Sequence, residues 1–163
     1  HPFQEEFNID AKPAPHELLN TWRENFEGVI YHHPQTGMTI SGAIDDLWIN
    51  SAGEYIVVDY KATAKSKEVS IDSGWQISYK RQMEVYQWLI RQNGLAVSDT
   101  GYFVYTNGRM DLDGFNNRVE FKTKLIPYTG TTDWIEPTLQ AMKACMDGDM
   151  PDVGDSIMGG FKR

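Results

Sequence analysis

The chain has a single cysteine, Cys145, among 163 residues. One thiol excludes an internal disulfide framework and any zinc or iron–sulfur site ligated by cysteines of this chain alone, and it fits a reducing compartment. Long hydrophobic runs are also missing. None approaches the roughly 18–20 apolar residues of a membrane span, so no membrane-spanning helix is expected. No basic segment followed by an apolar one marks a signal peptide, and the expectation is a cytoplasmic protein, with the first residue, His1, compatible with a fragment or a processed form. Repeats and low-complexity tracts are absent. Positive charge is the remaining scarcity: 15 Lys and Arg face 23 Asp and Glu, a net charge of −8. As a total, this argues against a protein that coats nucleic acid, because phosphate contacts draw on Lys and Arg. What the chain does have is core material, 40 % hydrophobic and 12 % aromatic residues, enough for one folded domain.

The charge is unevenly spread. Residues 1–59 carry 2 basic and 10 acidic groups, residues 60–92 carry 6 and 3, and residues 93–163 carry 7 and 10. A basic segment thus follows directly on an acidic one. Chance and a solvated surface account for such a pattern, and so does a local anion-binding face beside an acidic site.

Residues 1–15, with Pro2, Pro13 and Pro15, read as an irregular arm. Residues 16–147 read as the domain, and the Gly- and Asp-rich residues 148–163 as a flexible tail. Pro15 opens a predicted helix to about Phe26, with Leu19, Trp22 and Phe26 on one stripe. Strands are expected over 29–33, 39–50 and 54–63, then at 100–106 and 118–128. The clearest helix is 77–92, where Tyr79, Met83, Tyr86 and Ile90 share a face and Gly94 supplies the stop. A last helix starts near Asp133, with Asp133 and Glu136 at capping-box spacing and an apolar face of Ile135, Leu139, Met142 and Met146. Cys145 beside that face reads as a core thiol. Three strands, a crossover helix and two more strands suggest an α/β domain, a mixed central sheet flanked by helices.

Two of these strands meet at Ser51-Ala52-Gly53. A three-residue loop with Gly53 in the left-handed position sets Asn50 opposite Glu54, and counting back sets Asp45 opposite Asp59. Lys61 then falls on the same face, while Asp46 and Tyr60 point away. A two-residue turn would instead oppose Asp45 to Val58 and scatter the group. Opposed carboxylates destabilise a sheet by up to about 1 kcal/mol, so the first register makes sense around a divalent cation. Mg²⁺ takes one or two carboxylates and keeps waters for substrate oxygens. On the 77–92 helix, Gln82 and Tyr86 lie four apart and share a face.

Gly42-Ala43-Ile44-Asp45, then Asp59-Tyr60-Lys61 with Asp59 14 residues after Asp45, then Gln82-Met83-Glu84-Val85-Tyr86 resemble the PD-(D/E)XK nuclease superfamily and, within it, the RecB-like branch. The likeness spans about residues 28–106. It implies a restriction-endonuclease-like core and a Mg²⁺- or Mn²⁺-dependent deoxyribonuclease acting in repair, recombination or defence. It makes Asp45, Asp59 and the Tyr60 backbone carbonyl metal ligands, Lys61 the catalytic lysine, and Gln82 and Tyr86 the helix motif beside the substrate strand. DNA, single- or double-stranded, is the implied partner, with partner proteins of a larger complex a further expectation. The upstream His or acidic motif of such nucleases has no counterpart in His16, Glu17 or Glu24. Iron–sulfur-containing members of the CRISPR-adaptation type also carry flanking cysteines; a cluster here would need cysteines outside this chain. A nuclease fold kept for nucleic-acid binding or scaffolding without catalysis is the alternative reading, and a globular domain with unrelated chemistry is a third.

Lys65, Lys67, Lys80, Arg81 and Arg91 are candidate phosphate contacts, with a solvated face as the alternative. Trp75 and Trp88 read as packing residues before base-stacking ones. Glu84 is expected in solvent, opposite the Gln82–Tyr86 stripe. His32 and His33, adjacent on a strand, point to opposite faces and cannot share a metal.

Overall fold

A computed structural model of the chain describes residues 3–66, 68–72, 74–112 and 117–149. Lys67, the side chain of Trp75 and most of the expected tail lie outside the described residues.

Five strands form the central sheet in the order β1-β4-β5-β6-β7. They are β1 (Lys12–Pro13), β4 (Asp46–Ile49), β5 (Tyr55–Thr63), β6 (Thr100–Gly108) and β7 (Phe121–Thr129). β5 and β6 run parallel and the other neighbours antiparallel, so the sheet is mixed. Parallel neighbours need a long crossover, and helix α3 (Ile77–Gln92) supplies it, entered through a 3₁₀ turn at Gly74–Gln76. Its Met83, Leu89 and Ile90 are fully buried against Val57 and Phe103 of the sheet. Each such burial contributes about 1.5–3 kcal/mol relative to exposure. Gly94, at φ +84°, ends the helix as expected.

The 51–53 loop closes in the register that brings the acids together. Gly53 takes φ +82°, Asn50 N–H donates to the Glu54 carbonyl at 3.0 Å, and Asp46 pairs with Val58.

Several expectations are corrected. The strand expected over 39–50 is two strands. β2 (Val29–His32) and β3 (Thr39–Gly42) form a separate two-stranded ribbon, and the chain breaks at Ala43–Asp45 before joining the main sheet as β4. There Ile44 N–H donates to the Trp22 carbonyl at 3.0 Å instead of to a ladder partner. That bond occupies the end of helix α2 (Leu19–Trp22), which is one turn and not a helix to Phe26; Phe26 is fully exposed. The first fifteen residues are not irregular throughout. They hold a turn of helix, α1 (Phe3–Glu6), and β1, where Pro13 sits on a sheet edge and its missing N–H costs no ladder bond. Phe3 and Ala11 cover Trp48, Ile56, Val58 and Val104 on the sheet face away from α3.

The last helix, α4 (Ile135–Asp147), makes no side-chain cap. Glu136 reaches His33 Nε2 at 2.8 Å instead, and Asp133 N–H donates to Thr131 Oγ1. Ile135 and Leu139 are buried, but Met142, Met146 and Cys145 are exposed. The apolar face is therefore only one turn deep, and Cys145 is not a core thiol. Trp88 is buried and packs edge-on against Tyr31, which leaves it no face for a base. Among the described residues no helix is long and apolar enough to cross a membrane.

Candidate active site

Of the residues singled out by the sequence, Asp59, Lys61, Gln82 and Tyr86 meet on the α3 face of the sheet. Asp59 is 2 % exposed on β5, between Val57 and Lys61 on the same face. Lys61 Nζ donates to Asp59 Oδ1 at 2.8 Å and to Gln82 Oε1 at 3.2 Å, and Gln82 Nε2 donates to the Tyr86 hydroxyl at 2.8 Å. One hydrogen-bonded line therefore runs from the sheet to two turns of α3. The Tyr79 ring lies 4.7 Å from Nζ and narrows the space open to the ammonium. Tyr79 precedes Gln82 by three, the spacing of helix neighbours, and that spacing was the available sign of its place beside the lysine.

Asp45 closes the group from the other side. It lies just before β4, exposed, and its Oδ2 accepts the Tyr60 N–H at 2.7 Å, so a carboxylate takes the place of the next ladder carbonyl. Tyr60 itself points to the opposite face, where its hydroxyl donates to Asp46 Oδ2 at 2.8 Å and Arg23 also holds Asp46. Burial and the Asp46 carboxylate both push the Tyr60 phenol well above its usual value.

Gly42 of the first motif has a steric reason. A Cβ there would meet Tyr86 Cε1 at 2.8 Å, and one on Gly28 would meet the Gly42 backbone at the same distance. Ribbon and helix touch through Gly42, which lets the Tyr86 ring lie against the β3 backbone, while Gly28 lets the chain before β2 pass close behind it.

Burial is the largest influence on Asp59 and raises its carboxyl above the ordinary value. Hydrogen bonding and charge from Lys61 pull it back, and the charge of Asp45 adds to the rise. Burial also raises the Tyr86 phenol, against the Gln82 hydrogen bond, with the two carboxylates adding to it. Asp59 Oδ2 is buried without a directed hydrogen bond, although Lys61 Nζ lies 2.6 Å away in ion-pair contact. Two carboxylates, one of them buried, form a hard oxygen donor set that suits a small divalent cation. Among the described residues no three His, Cys, Asp or Glu side chains gather as a metal site. A cation here would have only the two carboxylates, backbone carbonyls and water as ligands.

The basic residues are placed differently. Lys80 pairs with Asp72, and Arg91 is tied to Asp99 and the Val97 carbonyl beyond the end of α3. Lys65 lines a cavity at the far end of β5. Arg81 stacks over Trp134 and bonds Glu84 at 2.9 Å.

Glu84 is the plainest departure from expectation, being 3 % exposed. Its carboxylate also accepts from Tyr128 Oη at 2.6 Å and from Trp134 Nε1 at 2.7 Å, which pins α3 to β7 and the start of α4. Three donors satisfy a buried charge that would otherwise be costly. Those partners lie 44 and 50 residues away, so no local pattern announces them.

A family model described as the PD-(D/E)XK nuclease superfamily matches residues 3–148. Neither curated proteins nor solved structures gave a match.

Proposed function

The chain belongs to the PD-(D/E)XK nuclease superfamily, and from that premise we propose that it is a metal-dependent deoxyribonuclease whose centre is Asp45, Asp59 and Lys61. The motif spacing supports a place in the RecB-like branch, with DNA repair, recombination or defence as its setting. An iron–sulfur cluster would have to draw on cysteines elsewhere. The observation that carries the reading is the Asp59–Lys61–Gln82–Tyr86 line of hydrogen bonds beside Asp45 on one face of the sheet.

Asp45, Asp59 and the Tyr60 carbonyl are the groups that would hold Mg²⁺ or Mn²⁺. When bound, such a cation supplies charge stabilisation at phosphorus and an acidified water. The chain's own residues do the rest. Lys61, held by both Asp59 oxygens and by Gln82, presents a positive charge that can stabilise negative charge developing on a phosphate oxygen. Gln82 accepts from Lys61 and donates to Tyr86, which fixes the direction of the lysine. Asp59, nearly closed to solvent, pairs with Lys61 and holds it on the substrate side of the sheet. Tyr86, set on Gly42, anchors the far end of the line.

Incubating end-labelled single- and double-stranded DNA, with RNA as a control, tests this in Mg²⁺, in Mn²⁺ and after chelation. The expected result is divalent-dependent cleavage of DNA that Lys61→Ala and Asp59→Asn abolish. Binding without turnover by the wild-type chain would instead establish the non-catalytic module, and turnover by Asp59→Asn at the wild-type rate would refute the assigned centre.

A further inference from the structure

A cavity of about 480 Å³ opens at the far ends of β5 and β6, and its walls include Lys65, Arg109, Lys122 and Lys124 against the acids Glu68 and Asp111. Its position relative to the candidate centre follows from the sheet register. Lys61 pairs with Tyr105 and Tyr105 with Lys124, while Thr63 pairs with Asn107 and Asn107 with Lys122. Directly paired residues project to one face, so Lys122 and Lys124 lie on the α3 side, the side of Asp59 and Lys61. Asn107 stands two residues beyond Tyr105, about 7 Å along the strand. That offset compares with the step between successive phosphates of an extended nucleic-acid strand.

The walls are held in place. Asn107 accepts from the Lys65 backbone N–H at 2.8 Å and donates to its carbonyl at 2.9 Å. Lys124 Nζ holds Glu68 at 2.7 Å. Arg109 is bonded by Asp111 and Glu120, and its guanidinium keeps the Asp111 carboxyl down at about 2. Lys122 makes no ion pair among the described residues. Apolar surface completes the cavity: Val69 is buried in its wall, and Met110 is 65 % exposed beside it. In a chain of net charge −8, a cavity with cations in excess that lines up with the centre is a place for an anion with an apolar part. The volume falls within the range of small-ligand sites.

We propose that this cavity receives the nucleotide of the substrate strand one or two positions from the scissile phosphate. Its phosphate faces Lys122, and its base lies against Val69 and Met110. The proposal rests on the nuclease reading above. It makes Lys122 a substrate-binding residue and gives the centre a preference for a strand whose base is free to leave its partner.

Fluorescence anisotropy of a labelled ten-nucleotide single strand, in chelator so that no cleavage intervenes, tests it across a range of salt concentrations. Lys122→Ala is expected to weaken binding about 3- to 10-fold and to reduce the slope of log K against log salt by about 0.7, the share of one phosphate contact on a single strand. Lys122→Arg is expected to restore both, and thermal unfolding of each variant reports that the fold is kept. Unchanged affinity and slope in Lys122→Ala would overturn the proposal. So would equal competition by a poly-glutamate peptide, which shares only the negative charge. Lys122-dependent binding without any Mg²⁺- or Mn²⁺-dependent cleavage would refute the nuclease reading and leave the cavity as a nucleic-acid site. Cleavage with kcat/KM untouched by Lys122→Ala would refute the cavity alone.

Discussion

Lys61 and Asp59 depend on each other. The Asp59 side chain is 3 % exposed and that of Lys61 18 %, so removing the lysine strands a buried charge. Lys61→Gln is therefore expected to lower the cleavage rate by about 10²–10³-fold, the usual worth of one donor aimed at a developing charge. It should also cost about 1–3 kcal/mol in chemical denaturation, the penalty of a poorly satisfied buried group. A rate loss with no stability loss would mean that Asp59 finds another partner. Tyr128 offers a second test at this scale. Burial, and then the Glu84 carboxylate to which it donates, raise its phenol from 10.0 to about 12. A raised folded-state value means that the protonated phenol is the form the fold favours. Its contribution is full below pH 10 and is lost as pH rises from there through about 12. Alkaline titration of tyrosinate absorbance in the wild type and in Tyr128→Phe should show one late-ionising phenol missing from the variant.

At the scale of elements, Glu84 joins α3 to β7 and α4, whereas Gly42 joins α3 to the β2–β3 ribbon. Glu84→Gln keeps the shape but gives up charge-assisted bonds, and thermal or urea unfolding should show a loss of about 1–3 kcal/mol. Gly42→Ala drives a methyl into the Tyr86 ring. The expected outcome is a shifted Tyr86, a broken bond to Gln82 and a larger loss in kcat than in stability. The contrast shows which contacts the sequence made legible. The Asp45–Asp59 pairing could be counted from Gly53, because a three-residue loop leaves one register and the glycine provides its positive φ. Helix α3 was legible from its stripe and its glycine stop. The break at Ala43–Asp45 was not, since the contacts that hold it are made 22 residues earlier in the chain: the Ile44 N–H on the Trp22 carbonyl and Arg23 Nε on the Asp45 carbonyl. Glu84 was misplaced for the same kind of reason: helical periodicity places it on a face, but only the distant Tyr128 and Trp134 make that face an interior one.

For the molecule as a whole, the net charge of −8 and the local charges act at different ranges. Exposed charges are screened beyond about 10 Å at 0.1 M salt, so the total weakens long-range approach of a polyanion while local cations can still hold it. DNA affinity is thus expected to be low in chelator and to rise when Mg²⁺ or Ca²⁺ offsets the two carboxylates, as titration at constant ionic strength would show. Affinity unaffected by divalent cations would separate DNA binding from the Asp45–Asp59 pair.

The Tyr60 amide gives up a backbone acceptor for the Asp45 carboxylate. An amide proton bonded to a charged oxygen resonates at a frequency set by that charge, and a cation drawing the carboxylate toward itself would shift it. In a ¹⁵N-labelled sample the Tyr60 peak should move with added Mg²⁺, and its exchange with solvent deuterium should quicken if the carboxylate turns away. The strand's own backbone thereby carries an intrinsic probe of occupancy, readable without substrate and without turnover.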